Sequence, residues 1–169
     1  MRVVVTDYNP LWPRMFEAEA AKIREVFAAE LVAIHHVGST AVPGLKAKPI
    51  IDIMPLVKDI AAVDRLNERM IALGYEVMGE CGITGRRYFR KGGDDRTHHV
   101  HVFQVDNPEA KRHLAFRDFL LEHPDVAQAY GQLKQALARR FPYDIESYMA
   151  GKDPFIKRFE QVALEWYQG

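Results

Sequence analysis

Two stretches of the chain concentrate the side chains that can do chemistry. The first is HHVGSTAVPGLKAKPIIDIMP, His35 to Pro55, where a β-type run delivers Gly38-Ser39-Thr40, a turn-rich loop follows, and a short apolar strand carries Asp52. Glycine lets a backbone approach a ligand closely. The N–H groups and two hydroxyls of such a turn can hold phosphate oxygens, and an acid on the neighbouring strand can hold the metal that bridges those phosphates. Phosphoryl or nucleotidyl transfer needs that combination. Asp52 stands among Ile50, Ile51 and Ile53, where a bare charge is costly. It therefore needs a partner, either a functional cation or a salt bridge to Lys48 or an arginine.

The second stretch is HHVHVFQV, His98 to Val105, which alternates with period two and reads as a strand. Alternation puts His99, His101 and Phe103 on one face and His98, Val100 and Val102 on the other. An H-x-H pair joined by a carboxylate suits Zn²⁺, Mn²⁺ or Fe²⁺ better than Mg²⁺, and a histidine there can instead serve as a general base. His36 is a weaker candidate beside the Gly-Ser turn; His35, His113 and His123 read as surface or capping residues.

Basic residues supply further candidates. Arg86, Arg87, Arg90, Lys91 and Arg96 cluster closely, either as guanidinium groups for a phosphate or carboxylate or as charges on an exposed edge strand. Arg86, Tyr88 and Arg90 share one face of that strand, and Arg87, Phe89 and Lys91 the other; Arg87 and Arg90 are kept as ligand candidates. Lys134, Tyr148 and Lys152 lie on helical patterns, the last two one turn apart, and read equally as ligand groups or as packing with solvated charge. Arg117 and Asp118 read as an internal ion pair.

The elements that must position these groups follow from periodicity. Leu11, Met15, Ala18, Ile23, Val26 and Phe27 recur at helical spacing behind Pro10 and Pro13, with Trp12, Phe16 and Phe27 assigned to the core. Strands are predicted over 31–37, 49–57, 75–78, 87–90 and 98–105. A helix over 60–73 is capped by Asp59 and ended by Gly74, and helices over 108–122, 124–140 and 143–166 fill the last third. The expectation is one α+β domain over 1–169, a mixed sheet flanked by helices with a C-terminal helical segment.

Composition narrows the function classes. Lys+Arg and Asp+Glu are both 23, so the net charge is zero, which argues against an extended nucleic-acid surface or an anionic membrane as partner. With Cys81 the single cysteine no intrachain disulfide can form, and with no apolar stretch of membrane or signal-peptide length the expected location is the cytoplasm. The phosphate-binding P-loop pattern fails because Leu45 follows Gly44, and no dinucleotide fingerprint accompanies the Tyr148/Lys152 pair.

The Gly-Ser pair followed by a strand acid resembles the nucleotidyltransferase superfamily signature. HVGSTAVPGLKAKPIIDI looks more closely like the diagnostic segment of GrpB-like (UPF0157) proteins. The likeness continues through YNPLWPRMFEAEA, LGYEV, RRYFRKGG, THHVHVF and FRDFLLEHPDVAQAYGQLK to Tyr148, Lys152 and Phe155. The resemblance implies a nucleotidyltransferase-like mixed sheet, with His99 and His101 near Asp52. It also implies a nucleotide or other phosphate-bearing small molecule as partner, with a divalent metal, Mg²⁺, Mn²⁺ or Zn²⁺, as cofactor. Related domains fused to dephospho-coenzyme A kinases point to nucleotide or coenzyme A metabolism by association. Two positions depart from the pattern: Met54 stands where the superfamily has a second acid, and His35 where GrpB-like proteins often have Glu. The expected functions are therefore metal-dependent nucleotidyl transfer, a non-catalytic nucleotide or coenzyme A-binding accessory domain, or a His/Asp metal-dependent hydrolase or isomerase.

Overall fold

The computed structural model describes residues 2–168. They form two compact units: Leu11–Val37 with Ile50–Ala110, and the segment up to Pro10 with Gly38–Pro49 and the chain from Lys111 onward.

The first unit holds the sheet. Its strands are β1 (Leu31–Val37), β2 (Ile51–Val57), β3 (Tyr75–Gly79), β4 (Arg86–Lys91) and β5 (His98–Gln104), in the spatial order β1-β2-β5-β4-β3. β2 and β5 run parallel, and the other neighbouring pairs run antiparallel. The fold is thus the mixed α+β arrangement expected. The two central strands are apolar on one face, where Ile51, Ile53, Val57, Val100 and Val102 are fully buried. α1 (Trp12–Phe27) contributes Trp12, Phe16, Ile23, Val26 and Phe27 to the core. Trp12, Phe16 and Phe27 are core as assigned, but Leu11, Met15 and Ala18 of the predicted apolar spacing are exposed, because the buried stripe in the first turns runs through Trp12, Phe16, Glu19 and Ala20 instead.

Two sequence expectations change. The predicted 60–73 helix is a 3₁₀ segment, Ile60–Leu66, followed by the short α2 (Asn67–Ala72). Asp59 caps it as expected through the Ala61 N–H, but the N–H groups of Asp59 and Ile60 are taken by the side chains of Glu30 and Gln104. Those tertiary bonds satisfy two of the N–H groups that any helix entry leaves without an internal partner. His36 lies on the opposite face from Asp52 and stacks on Phe16, centroids 4.9 Å apart, so alternation removes it from the Asp52 face.

Below that apolar face, Glu19 is buried and accepts hydrogen bonds from the Tyr75 hydroxyl at 2.8 Å and Lys91 Nζ at 2.7 Å. A charge there is tolerated because both partners come from the sheet unit itself.

The second unit is helical: α4 (Pro124–Arg140), α5 (Ile145–Gln168) and the part of α3 (Pro108–Glu122) beyond Ala110. Its core joins the Gly38–Pro49 segment to the helices, with Val42 and Leu45 packed with Leu120, Ala127 and Tyr130. Gly131 permits this approach, since a Cβ there would lie 3.3 Å from Leu45. On α5, a Cβ at Gly151 would lie 2.4 Å from Leu137 of α4, so glycine is what lets the two helices close up next to Tyr148 and Lys152. Arg117 and Asp118 do pair, at 2.9 Å. Among the described residues no helix is long and apolar enough to cross a membrane.

Burial pushes the Glu19 carboxyl up, but the bonds from Lys91 and Tyr75 outweigh it and hold the group below its ordinary 4.5. A depressed carboxylate adds stability above its unfolded value and loses it as pH falls through the folded one. Glu19→Gln is therefore expected to cost about 2 kcal/mol at neutral pH and to show a shallower loss of Tm than the wild type below pH 4.5. Parallel acid limbs in the two melting series would remove Glu19 as their source.

Candidate functional site

In the sheet unit, the β2–β5 parallel ladder sets Asp52 opposite His99, and alternation puts His101 on the same face. Asp52 Oδ1 accepts from His101 Nε2 at 3.0 Å and lies 3.5 Å from His99 Nδ1. The three residues offer ligand atoms all within 4.8 Å of one another. Burial raises the Asp52 carboxyl, and the hydrogen bonds from His101 and His99 more than reverse this, leaving it well below the usual carboxylate range. The partners of Asp52 are thus imidazoles rather than Lys48 or an arginine.

The antiparallel β4–β5 pairing adds a wall to this cluster. Tyr88 is the register partner of His101, and its ring stacks on that imidazole at 5.3 Å and meets His99 edge-on at 5.6 Å. Burial, then the Asp52 charge, raises the Tyr88 phenol. Arg86 lies over the Tyr88 ring at 4.6 Å and its Nη1 reaches His101 Nδ1 at 3.3 Å. His99 Nε2 is buried and has no hydrogen-bond partner among the described residues.

Do these residues fit a divalent ion? The spacing does, and two nitrogens with one oxygen is a reasonable transition-metal donor set. The proton inventory does not. A ligating histidine needs a bare nitrogen toward the ion and usually donates its other N–H to an acceptor. His101 Nδ1 instead faces a guanidinium, which only donates. The spacing therefore suits a metal triad, while the Arg86 contact works against ligation through His101 Nε2.

In the helical unit a second cluster forms. Gly38 adopts φ 73°, a left-handed-side value that favours glycine, and turns the chain into a 3₁₀ turn, Ser39–Ala41. Lys134 is 2% exposed, and its Nζ donates to Ser39 Oγ at 2.7 Å while lying 4.4 Å from the Tyr130 ring. Thr40 is buried beside it in sequence. Tyr148 is fully buried, its hydroxyl has no hydrogen-bond partner, and burial pushes its phenol up to about 12. Lys48 and Lys152 both lie over its ring, at 5.5 and 5.1 Å. The same loop and α4 line an apolar cavity of about 450 Å³, with Val42, Leu45, Ala127, Gln128, Gly131 and Gln132 among its walls.

The structure therefore brings Asp52, His99 and His101 together in one unit, and Ser39, Lys134, Tyr148, Lys48 and Lys152 in the other. It does not bring Arg87 to either cluster, and Arg90, although the register partner of His99, turns its guanidinium to Glu76. Arg87 is held by Asp64 at 2.7 Å and Arg90 by Glu76 at 2.8 Å. Charges offered by the neighbouring 3₁₀ segment and β3 claim them first. Arg86 and Tyr88 were not among the candidates chosen from the sequence. Their signal was the shared parity on β4, which selects a face only once the β4–β5 register is known.

A mixed sheet carrying an acid and two histidines on adjacent parallel strands, followed by a helical unit with a buried lysine–tyrosine cluster, defines the class. A family model described as GrpB protein matches residues 2–162, and the chain belongs to that family. A crystal structure of the conserved protein GrpB from Enterococcus faecalis is 47% identical, has a TM-score of 0.95, and covers 98% of this chain and 100% of that one. The UPF0157 protein YqkA of Bacillus subtilis is 47% identical over 168 residues, 99% of this chain and 49% of that protein, so this chain spans about half the length of that relative. A protein named dephospho-CoA kinase from Mycolicibacterium paratuberculosis is 28% identical over 192 residues, 98% of this chain and 46% of that protein.

The orphaned Tyr148 hydroxyl carries a desolvation cost in the ligand-free protein. Tyr148→Phe is expected to leave the Tm unchanged or to raise it, by up to about 1 kcal/mol of stability. A clear fall in Tm would show that the hydroxyl already has a partner in solution.

Proposed function

We propose that this protein binds a phosphate-bearing metabolite of the nucleotide or coenzyme A class through Ser39, Lys134, Tyr148, Lys48 and Lys152. The observation that carries the reading is the buried Tyr148 hydroxyl, unpartnered, with two ammonium groups over the same ring. A buried donor without an acceptor is costly, and an anion with several oxygens relieves that cost. Ser39 and the N–H groups of its turn supply neutral donors of the kind that hold phosphate oxygens. The apolar cavity on the same loop and helix offers room for the uncharged part of such a ligand. The similarity to a dephospho-CoA kinase supports the same ligand class.

A second reading is chemistry in the sheet unit, of the transfer type that the nucleotidyltransferase resemblance implies. The buried, unpartnered His99 Nε2 favours it. With Nδ1 toward Asp52, that nitrogen is placed to accept a proton from a hydroxyl or water. Met54 in place of a second acid weighs against a two-metal version of the reaction. If no turnover exists, the protein is the accessory binding domain.

Inorganic triphosphate, nucleoside triphosphates, dephospho-coenzyme A and coenzyme A should be screened by thermal shift, since a ligand selective for the native state raises Tm. At least one should stabilise the wild type, and Lys134→Met should weaken it by about 2 kcal/mol, on the order of thirtyfold in Kd. A nucleotide that outperforms triphosphate assigns a role to the apolar cavity. If no phosphate compound shifts the transition, the binding proposal fails; if one binds but His99→Gln changes no measurable turnover, only the second reading fails.

A further inference from the structure

We infer that Arg86 is a positioning residue that fixes the tautomer of His101. His101 then holds Asp52 by donating from Nε2, and His99 alone of the pair keeps an imidazole lone pair to offer a ligand. The inference concerns the sheet unit alone and stands or falls apart from the lysine cluster.

The argument starts from what a guanidinium can do. It carries five N–H donors, accepts nothing, and stays charged. A nitrogen 3.3 Å from Arg86 Nη1 must therefore be the acceptor of that contact, and that nitrogen is His101 Nδ1. The ring proton then sits on Nε2, which lies 3.0 Å from Asp52 Oδ1 and donates to it. The network is consistent from end to end: guanidinium to imidazole to carboxylate, each N–H meeting a lone pair. The opposite tautomer sets Nδ1–H against a guanidinium N–H and a bare Nε2 against a carboxylate oxygen, which is two mismatches at once.

Arg86 is not a mobile surface arginine. It is 8% exposed, its Nε donates to the Glu80 carbonyl at 3.1 Å, and its Nη2 to the Cys81 carbonyl at 2.9 Å. Cys81 holds a positive φ of 48° in the turn that presents that carbonyl. The Tyr88 ring lies against both the guanidinium and His101. Arg86 is thus fixed by the β3–β4 connection and reports that connection's geometry to the Asp52 cluster.

His99 differs in each respect. Its Nδ1 is 3.5 Å from Asp52 Oδ1, near the outer limit of a hydrogen bond, and its Nε2 is buried and unpartnered. Two histidines that alternation makes equivalent therefore have different work. One is a fixed donor to Asp52. The other keeps an enclosed Nε2 that no described residue engages.

Long-range ¹H–¹⁵N correlation spectra of histidine-labelled full-length protein read the protonated nitrogen of each ring directly. In the wild type, His101 should show a protonated Nε2 and a bare Nδ1, and Zn²⁺ titration should leave the His101 nitrogens unmoved. Arg86→Gln replaces a donor by a side chain that can accept from Nδ1–H. It should shift His101 toward the other tautomer and raise Zn²⁺ affinity on the order of tenfold, the scale of a partner group behind a ligating histidine. Arg86→Lys, which still donates, should retain the wild-type tautomer. A protonated Nδ1 on His101 in the wild type overturns the inference, as does Zn²⁺ moving His99 and His101 together in the wild type. Both decisive readings need no substitution, so they hold even if the glutamine variant does not fold.

Discussion

A carboxylate in the middle of an apolar strand sets the terms for the sheet unit. Asp52 is flanked in sequence by Ile51 and Ile53, both fully buried, on a strand paired on both sides. Its charge is affordable only because His101 donates to it and His99 stands near. That demand ties the parallel β2–β5 register to chemistry. A slip of one residue would turn the histidines to the face where Phe16 stacks on His36 and leave the acid against Val100. The same demand extends to β4, because His101 is itself held by Arg86 and Tyr88.

The helical unit answers a different problem with similar means. Lys134 is buried to 2% exposure, yet its ammonium reaches Ser39 and the face of Tyr130. Both contacts favour a cation, and Lys48 and Lys152 lie over the Tyr148 ring in the same unit. Small residues make the arrangement possible: Gly131 lets the loop lie on α4, and Gly151 lets α5 approach it.

Much of this was legible in the chain. The helices after Asn107 were visible from their proline-marked boundaries and apolar spacing, with the structure agreeing residue for residue at 108–122 and 124–140. The strand over 98–105 was visible from alternation and the others from short apolar or β-type runs; parity put His99 and His101 on one face, and their nearness to Asp52 came from the family resemblance. What parity could not supply was register. Arg86, Tyr88 and Arg90 share a face, but only the antiparallel offset Tyr88↔His101 says that Arg86 reaches the histidine, whereas Glu76 draws off Arg90. The 3₁₀ character of Ile60–Leu66 was hidden for a related reason. Its entry is satisfied by Glu30 and Gln104, which are remote in sequence and invisible to local propensity.

The strand order has a consequence for how the Asp52 cluster comes into being. β1 and β2 form one antiparallel pair, and β3, β4 and β5 form a meander of short connections. Each can close with modest loss of chain entropy. Only the parallel β2–β5 ladder joins the two groups, and it spans the whole stretch from the 3₁₀ segment through β4. Asp52 lies on one side of that seam, and His99, His101, Tyr88 and Arg86 lie on the other. Long-range parallel pairing is the slow class of closure, so the acid and its imidazoles meet through the least local step in the sheet. Before that step Asp52 is a solvated carboxylate on a hairpin, and after it a half-buried one beside two rings, which makes those histidines natural reporters of the moment at which the sheet becomes whole.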